Sequence, residues 1–296
     1  MLMDVVMLSW NSNKPYFRHV LQSIKQEIPV HCFIVVDRFS IDDTLHVIRE
    51  YFSEAKVVQT DGSLAKSRQL GIQNVDTEYF VFVDDDIILP KGWLEKLESN
   101  IDSETGAIHA YAVPALRLPY EQEWREWQEK WAVSKLRKHK TPSTKYESKI
   151  IEIVEGNKNT FAGYTHNTII RLDACKDWKP SADFPVFEDQ VLLWHIIKNG
   201  YKWKITREVT VQHFSYRNLT EHLRKFRWRI AGQRLVGLTV LSSKQLLFTL
   251  IAKRFVMSCK ACIDYKDPRV IAYVLLLHFV SLDGYLRWNK YTHLVH

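Results

Sequence analysis

Phe80-Val81-Phe82-Val83 runs directly into Asp84-Asp85-Asp86, and this junction limits what the chain can fold into. Four consecutive β-favouring apolar residues leave no polar face, so the segment reads as a strand covered on both sides. Sheets flanked by helices on both faces contain such strands. Three adjacent carboxylates at the end of a buried strand repel one another and are costly to desolvate. A divalent cation with hard oxygen ligands, Mg2+ or Mn2+, shared with a phosphate-bearing ligand would relieve that cost. Ligands of open α/β sheets also gather beyond the carboxyl ends of the strands, where these acids lie. The plainer reading is an acidic loop after a core strand.

The residues on either side extend the pattern. Asp4 to Ser9 reads as a buried strand closed by Trp10-Asn11-Ser12-Asn13. Pro15 then opens a helix whose apolar positions Phe17, Val20, Leu21 and Ile24 follow the 3.6-residue period. Cys32 to Val36 is a second strand ending at Asp37, and Ser40 to Thr44 supplies capping chemistry for a helix carrying Leu45, Ile48 and Phe52. Lys56 to Gln59 is a short third strand, followed after Asp61-Gly62 by a helix with Leu64, Leu70 and Ile72. Regular alternation with short connections predicts a mostly parallel, doubly wound α/β sheet. No Gly-x-Gly-x-x-Gly or Gly-x-x-x-x-Gly-Lys loop is present, so neither a dinucleotide fold nor a P-loop is supported.

Further along, Ala107 to Val113 reads as a strand ended by Pro114. Residues 120–140 read as a charged helix with Trp124, Trp127 and Trp131 on one face, and Thr141 to Ser148 as a polar lid. Gly163 to Arg171 returns the chain to the sheet. Residues 187–199 form a helix stopped by Asn199-Gly200, and a strand follows at Val209 to His213.

Charge separates the C-terminal region from the rest. The chain of 296 residues has a net charge of +7, yet residues 202–296 carry 17 Lys+Arg against 5 Asp+Glu, a net +12. The split predicts two domains, 1–216 and a basic helical region 217–296. In the second, Leu219, Leu223, Phe226 and Ile230 share one helical stripe, and Leu247, Ile251 and Phe255 another. Val270 to Leu282 is the most apolar stretch, short of the ~20 residues that span a bilayer, so these helices are expected to be interfacial or monotopic on an anionic membrane surface. Nucleic acid is not expected as a partner, because the basic residues alternate with long apolar stripes. Four scattered cysteines give no disulfide framework; Cys259 and Cys262 read as helix-face residues. Asp4 interrupts the apolar start, so no signal peptide is expected and the body is taken as cytoplasmic.

Four features follow one another in order. A first strand ends in Ser9-Trp10-Asn11, and a second in Val36-Asp37, with Ser40 and Asp42-Asp43-Thr44 behind it. The third feature is Asp84-Asp85-Asp86, and the fourth is Glu188-Asp189, which opens the later helix. This order resembles the family-2 inverting glycosyltransferases of GT-A fold. The resemblance covers residues 3–216 and includes Arg68 and the Asn199-Gly200-Tyr201 ending. It departs from the family where Arg38-Phe39 replaces the usual Asp-Gly, where Gln69 stands for Asn, and where Arg224 to Trp228 lacks the Gln of processive members.

The resemblance implies a nucleotide-diphosphate sugar donor, GDP-mannose or a UDP-sugar, bound by Ser9, Trp10, Asn11, Asp37, Lys66, Arg68, Asp84 and Asp85. It implies Mn2+ or Mg2+ held by Asp84 and Asp86, with His213 as a further ligand. Asp189 is expected as general base and Glu188 as its neighbour on the acceptor side. Adjacent helical residues point about 100° apart, so only one of this pair can face the sugar. The acceptor expected is polyprenyl- or otherwise lipid-linked, at the cytoplasmic face of the membrane. The alternatives are a sugar-nucleotidyltransferase, which would use a Gly-rich phosphate loop that Ser9 to Asn13 lacks, and a non-catalytic basic protein binding membrane or nucleic acid.

Overall fold

The computed structural model describes residues 1–115, 149–154, 163–180, 185–214, 218–239 and 268–292, with seven more between 252 and 264. The expected helix at 120–140, the lid at 141–148, Leu247, Ile251 and Cys262 lie outside the described residues. One compact unit comprises Met1–Ala115, Lys149–Phe184 and Glu188–Phe214; the rest of the chain belongs to a second.

In the first unit the chain alternates as expected. Strands β1 (Met3–Ser9), β2 (Val30–Asp37), β3 (Lys56–Gln59) and β4 (Tyr79–Val83) are separated by helices α1 (Phe17–Glu27), α2 (Thr44–Tyr51) and α3 (Leu64–Ile72). These four strands are parallel, in the order β3-β2-β1-β4. Met3, Val5, Val6 and Met7 on β1 and Phe80 to Val83 on β4 are buried, because helices cover both faces. On α1 the buried face is Phe17, Val20, Leu21 and Ile24.

Beyond β4 come the short β5 (Ile87–Ile88), α4 (Trp93–Glu98), β6 (Thr105–Pro114), β7 (Ile150–Ile153) and β8 (Asn167–Arg171). Helix α5 (Glu188–Lys198) and strand β9 (Lys202–His213) complete the unit. The sheet continues from β4 through β8, β6 and β9 to β5, and β7 also pairs with β9. β8 runs antiparallel to both β4 and β6, so the largely parallel sheet changes direction there. β9 begins seven residues earlier than expected. Its charges disguise it: Lys204 is buried, but its Nζ donates to Asp102 at 2.6 Å and to the Asn100 carbonyl at 3.0 Å. A buried ammonium with both partners in place is compatible with a strand.

The second unit holds α6 (Leu219–Thr239), α7 (Pro268–Leu286) and α8 (Trp288–Thr292). Two expectations change here. Leu219, Leu223 and Phe226 pack against Val270, Tyr273, Val274 and Leu277 of α7, and Ile230 is buried, so that stripe is core and not an outward face. The apolar stretch is also longer than expected: α7 has 19 residues and is long and apolar enough to cross a membrane by length and composition, with 39% of it buried. Asp283 lies within the helix, and its carboxylate meets Arg227 at 2.8 Å and Arg287 at 3.4 Å.

α3 carries Lys66 and Arg68, and Gly71 allows it to lie close to the sheet. A Cβ at Gly71 would sit 2.6 Å from Val6 Cγ1. Gly71→Ala is therefore expected to destabilise the protein by about 1–3 kcal/mol, read as a lower urea midpoint with an unchanged m-value.

Candidate active site

Ser9 and Asp37 face each other in register where β1 and β2 end. Asp37 is fully buried and accepts four hydrogen bonds: from Ser9 Oγ (2.9 Å), Ser40 N (2.9 Å), Ser40 Oγ (2.6 Å) and Gln59 Nε2 (3.3 Å). A carboxylate has about four acceptor sites, so Asp37 is saturated as it stands. Any contact from Asp37 to a ligand requires releasing one of these bonds, and the one from Gln59 is the longest.

The loops after β1 and β2 are laced together. Asn11 N donates to Ser40 Oγ at 2.9 Å, Ile41 N to Asn11 Oδ1 at 2.9 Å, and Asn13 N to Asp42 at 3.2 Å. Asn11 and Phe39 both have positive φ, 50° and 49°. Asn tolerates that region, whereas for Phe39 it costs on the order of 1–3 kcal/mol. The lacing holds Trp10, Phe39 and Ile41 exposed at the lip of the site, with the Arg38 guanidinium 5.3 Å from the Trp10 ring centroid. Read from sequence alone, Arg38-Phe39 registers only as a departure from a motif, because a φ value cannot be seen in a one-letter string.

Each of the three acids after β4 has a different partner. Asp84 accepts from Arg68 Nη2 at 3.2 Å, Asp85 accepts from Ser12 Oγ, and Asp86 lies 3.2 Å from His213 Nε2. The β5–β9 pairing makes the last contact, because Ile87 is in register with His213. Among the described residues no three His, Cys, Asp or Glu side chains form a ready-made cage for a metal ion. Asp86 and His213 nonetheless suit a Mg2+- or Mn2+-like cation, which commonly takes one or two protein ligands and draws the rest from phosphate and water.

Arg68 joins the two acidic motifs. Buried on α3, it donates from Nε to Glu188 Oε1 at 2.8 Å and from Nη2 to Asp84. Burial works against its charge, but Asp84 and Glu188 more than offset this and hold it protonated. Its Nη1 is buried with no hydrogen-bond partner among the described residues. Lys66, two residues earlier and so on the opposite side of the helix, is exposed, so α3 sends one cation inward and leaves the other at the surface.

Glu188 and Asp189 open α5, where the helix dipole favours negative charge. Burial chiefly, and then the neighbouring Glu188 carboxylate, push Asp189 up to about 8, with Arg68 pulling the other way.

One cluster is not evident in the sequence. Asn167 is fully buried, and its Oδ1 accepts from Trp93 Nε1 (3.2 Å) and Ala110 N (2.9 Å), which fixes the orientation of its amide. Its Nδ2 therefore faces His166 Nδ1 at 3.0 Å as the donor, which assigns His166 the neutral tautomer protonated on Nε2. The His166 ring meets the His213 ring edge to face, with centroids 5.3 Å apart, and the His166 carbonyl accepts from Asp84 N at 3.0 Å. The available signal was a polar His166-Asn167 pair at the start of the apolar strand Thr168-Ile169-Ile170.

Comparison with known proteins bears on these features. The model of the family described as Glycosyl transferase family 2 matches residues 4–178, more than half of the chain. No curated protein sequence matches it. Among solved structures, S. aureus TarS 1–349 in complex with UDP-GlcNAc is 17% identical, with a TM-score of 0.57 over 98% of this chain and 91% of that one. Glucosyl-3-phosphoglycerate synthase from Mycobacterium tuberculosis, in complex with Mn2+, UDP and phosphoglyceric acid, is 16% identical, with a TM-score of 0.52 over 78% of this chain and 77% of that one. At these identities the likeness is one of fold.

The raised value at Asp189 has a consequence for stability. The folded state keeps this proton up to about pH 8, whereas the unfolded chain releases it near an ordinary carboxylate value of 3.8. Stability from this group is fully present below that lower value and is lost as pH rises through the folded one. Asp189→Asn should therefore be more stable than the parent at pH 9 and lose that advantage toward pH 4, measured by urea denaturation across the range.

Proposed function

The chain belongs to glycosyl transferase family 2, and from that premise we propose that it transfers one sugar, with inversion, from a nucleoside-diphosphate donor to a lipid-linked acceptor. Its sheet is the GT-A arrangement of nucleotide-sugar transferases. Family membership selects glycosyl transfer over the nucleotidyl-transfer alternative. The observation that carries the mechanism is the Arg68 bridge, which brings Asp84 and Glu188, far apart in sequence, into one site with Asp189 beside them.

In this reading the donor lies across the carboxyl ends of β1, β2 and β4. Trp10 and Asn11 bound the nucleoside end, with Ser9 and Asp37 beneath them, and Asp84 and Asp85 face the ribose and diphosphate. Lys66 and Arg68 contribute positive charge. The uridine ligands of TarS and glucosyl-3-phosphoglycerate synthase favour a UDP-sugar over GDP-mannose, and the Mn2+ of the synthase favours a divalent cation. Asp86 and His213 would hold that cation, with Asp84 next to them; bound there, it neutralises charge developing on the departing diphosphate.

The acceptor hydroxyl attacks the anomeric carbon from the face opposite the diphosphate. The new C–O bond forms as the bond to diphosphate breaks, and Asp189 receives the hydroxyl proton. At about 8 this carboxyl still holds its proton at neutral pH, so in this reading transfer runs through the ionised form of Asp189, whose share rises with pH. Glu188 steadies Arg68 on the acceptor side. A lipid-linked acceptor at the cytoplasmic membrane face is supported by the +12 charge of residues 202–296 and by the apolarity of α7.

Two measurements test the assignment. Asp189→Asn should reduce turnover about 100-fold or more while calorimetry shows nucleotide affinity nearly intact, because a base acts only on the acceptor. Transfer within a few-fold of the parent would remove Asp189 from that role. Asp86→Ala or EDTA should weaken nucleoside-diphosphate binding; equal affinity with and without chelator would rule out the cation.

A further inference from the structure

We propose that the outward stripe of α7 is the surface on which the chain seats itself on an anionic lipid bilayer. The inference takes its biological sense from the lipid-linked acceptor, while its physical basis is the second unit alone. α7 is apolar on two opposite sides. Val270, Tyr273, Val274, Leu277 and Val280 fill the inward one and are buried. Leu275, Leu276, Phe279, Leu282 and Leu286 occupy the other and stay exposed, Phe279 to 66%. At about 100° per residue these five share one face, centred opposite the buried set. The pattern is not that of a surface helix in water, whose outer face is polar.

Phe255 widens the patch. Phe255, Val256 and Ile263 are helical and exposed, Ile263 to 82%, and the Phe255 ring lies 4.8 Å from that of His278 on α7. Contiguous apolar surface of this kind marks an interaction site. Cations flank it along the chain: Arg269 is exposed in the first turn of α7, and Arg287 and Lys290 follow the last turn. Long basic side chains at the edge of an apolar stripe can reach lipid headgroups while the stripe enters the acyl boundary.

The same observations select a bilayer surface over other occupants. A second copy seated on the stripe would bring two strongly basic regions together, since residues 202–296 carry +12. Anionic lipid complements that charge. A fully spanning α7 would require the helix to give up its contacts with α6, including the 2.8 Å Arg227–Asp283 ion pair. Lying in the interface keeps them.

Flotation of the full-length protein with phosphatidylcholine vesicles, with and without phosphatidylglycerol, is the test. The parent should float with the anionic vesicles, weakened but not released by salt. Leu276→Glu/Phe279→Glu, two exposed positions, should lower partitioning about tenfold or more. Should that double variant lose its circular-dichroism spectrum, the single Leu286→Glu change at the helix end repeats the test. Unchanged flotation of a folded variant, or a parent that does not float, overturns the proposal. A parent dimer in light scattering that the variant dissociates also overturns it, in favour of a second copy. UDP affinity of the double variant, measured alongside, should equal that of the parent. A parent that floats but binds no nucleotide would count against the catalytic reading and leave the membrane seat standing.

Discussion

A buried guanidinium held between two carboxylates organises the catalytic unit. Arg68 is enclosed, and an enclosed cation is tolerable only with its partners in place. Asp84 and Glu188 are those partners, so the end of β4 and the start of α5 must approach α3 together for any of the three to be stable. Burial chiefly, and then Glu188 of the bridge, push Asp189 toward its protonated form, while Arg68 pulls it toward the ionised one. An interaction needed for folding thus also acts on the proposed base.

Around this bridge the site contains several local conformations that a merely stable protein would avoid. Asn11, Phe39 and Phe187 all have positive φ, and each adjoins a proposed functional segment. Strain in loops is retained only where neighbouring bonds over-determine it. The Ser40 and Asn11 cross-bonds do so after β1 and β2, leaving Trp10, Phe39 and Ile41 exposed at the lip. The saturated shell of Asp37 points the same way. It ties the ends of β1 and β2 together.

The second unit follows different physics. The interior between α6 and α7 is an ordinary packed helix interface, close enough that a Cβ on Gly284 would meet the Arg227 carbonyl at 2.5 Å. An outward face as apolar as the buried one is unusual for a helix in water. The two faces of α7 are chemically similar, and only packing distinguishes them. That is why the stripe Leu219, Leu223 and Phe226, read from periodicity as a surface, is core.

What the sequence determined by itself is what depends on short-range chemistry. The unbroken run Phe80 to Val83 and the 3.6-residue spacing on α1 specify β/α alternation, and with it the carboxyl-end location of Asp37 and Asp84 to Asp86. Contacts between residues distant in the chain were decided only in three dimensions. The pairing of Asp86 with His213 depends on β9 folding back onto β5, and the Arg68 bridge on α3 facing α5. Asn167 setting the His166 tautomer depends on the backbone of β6. β9 itself was half hidden, because Lys204 reads as a surface charge until Asp102 is seen beside it. Periodicity shows that a helix has an apolar face, but it does not say which of two apolar faces is covered; for α7 that depended on where α6 lies.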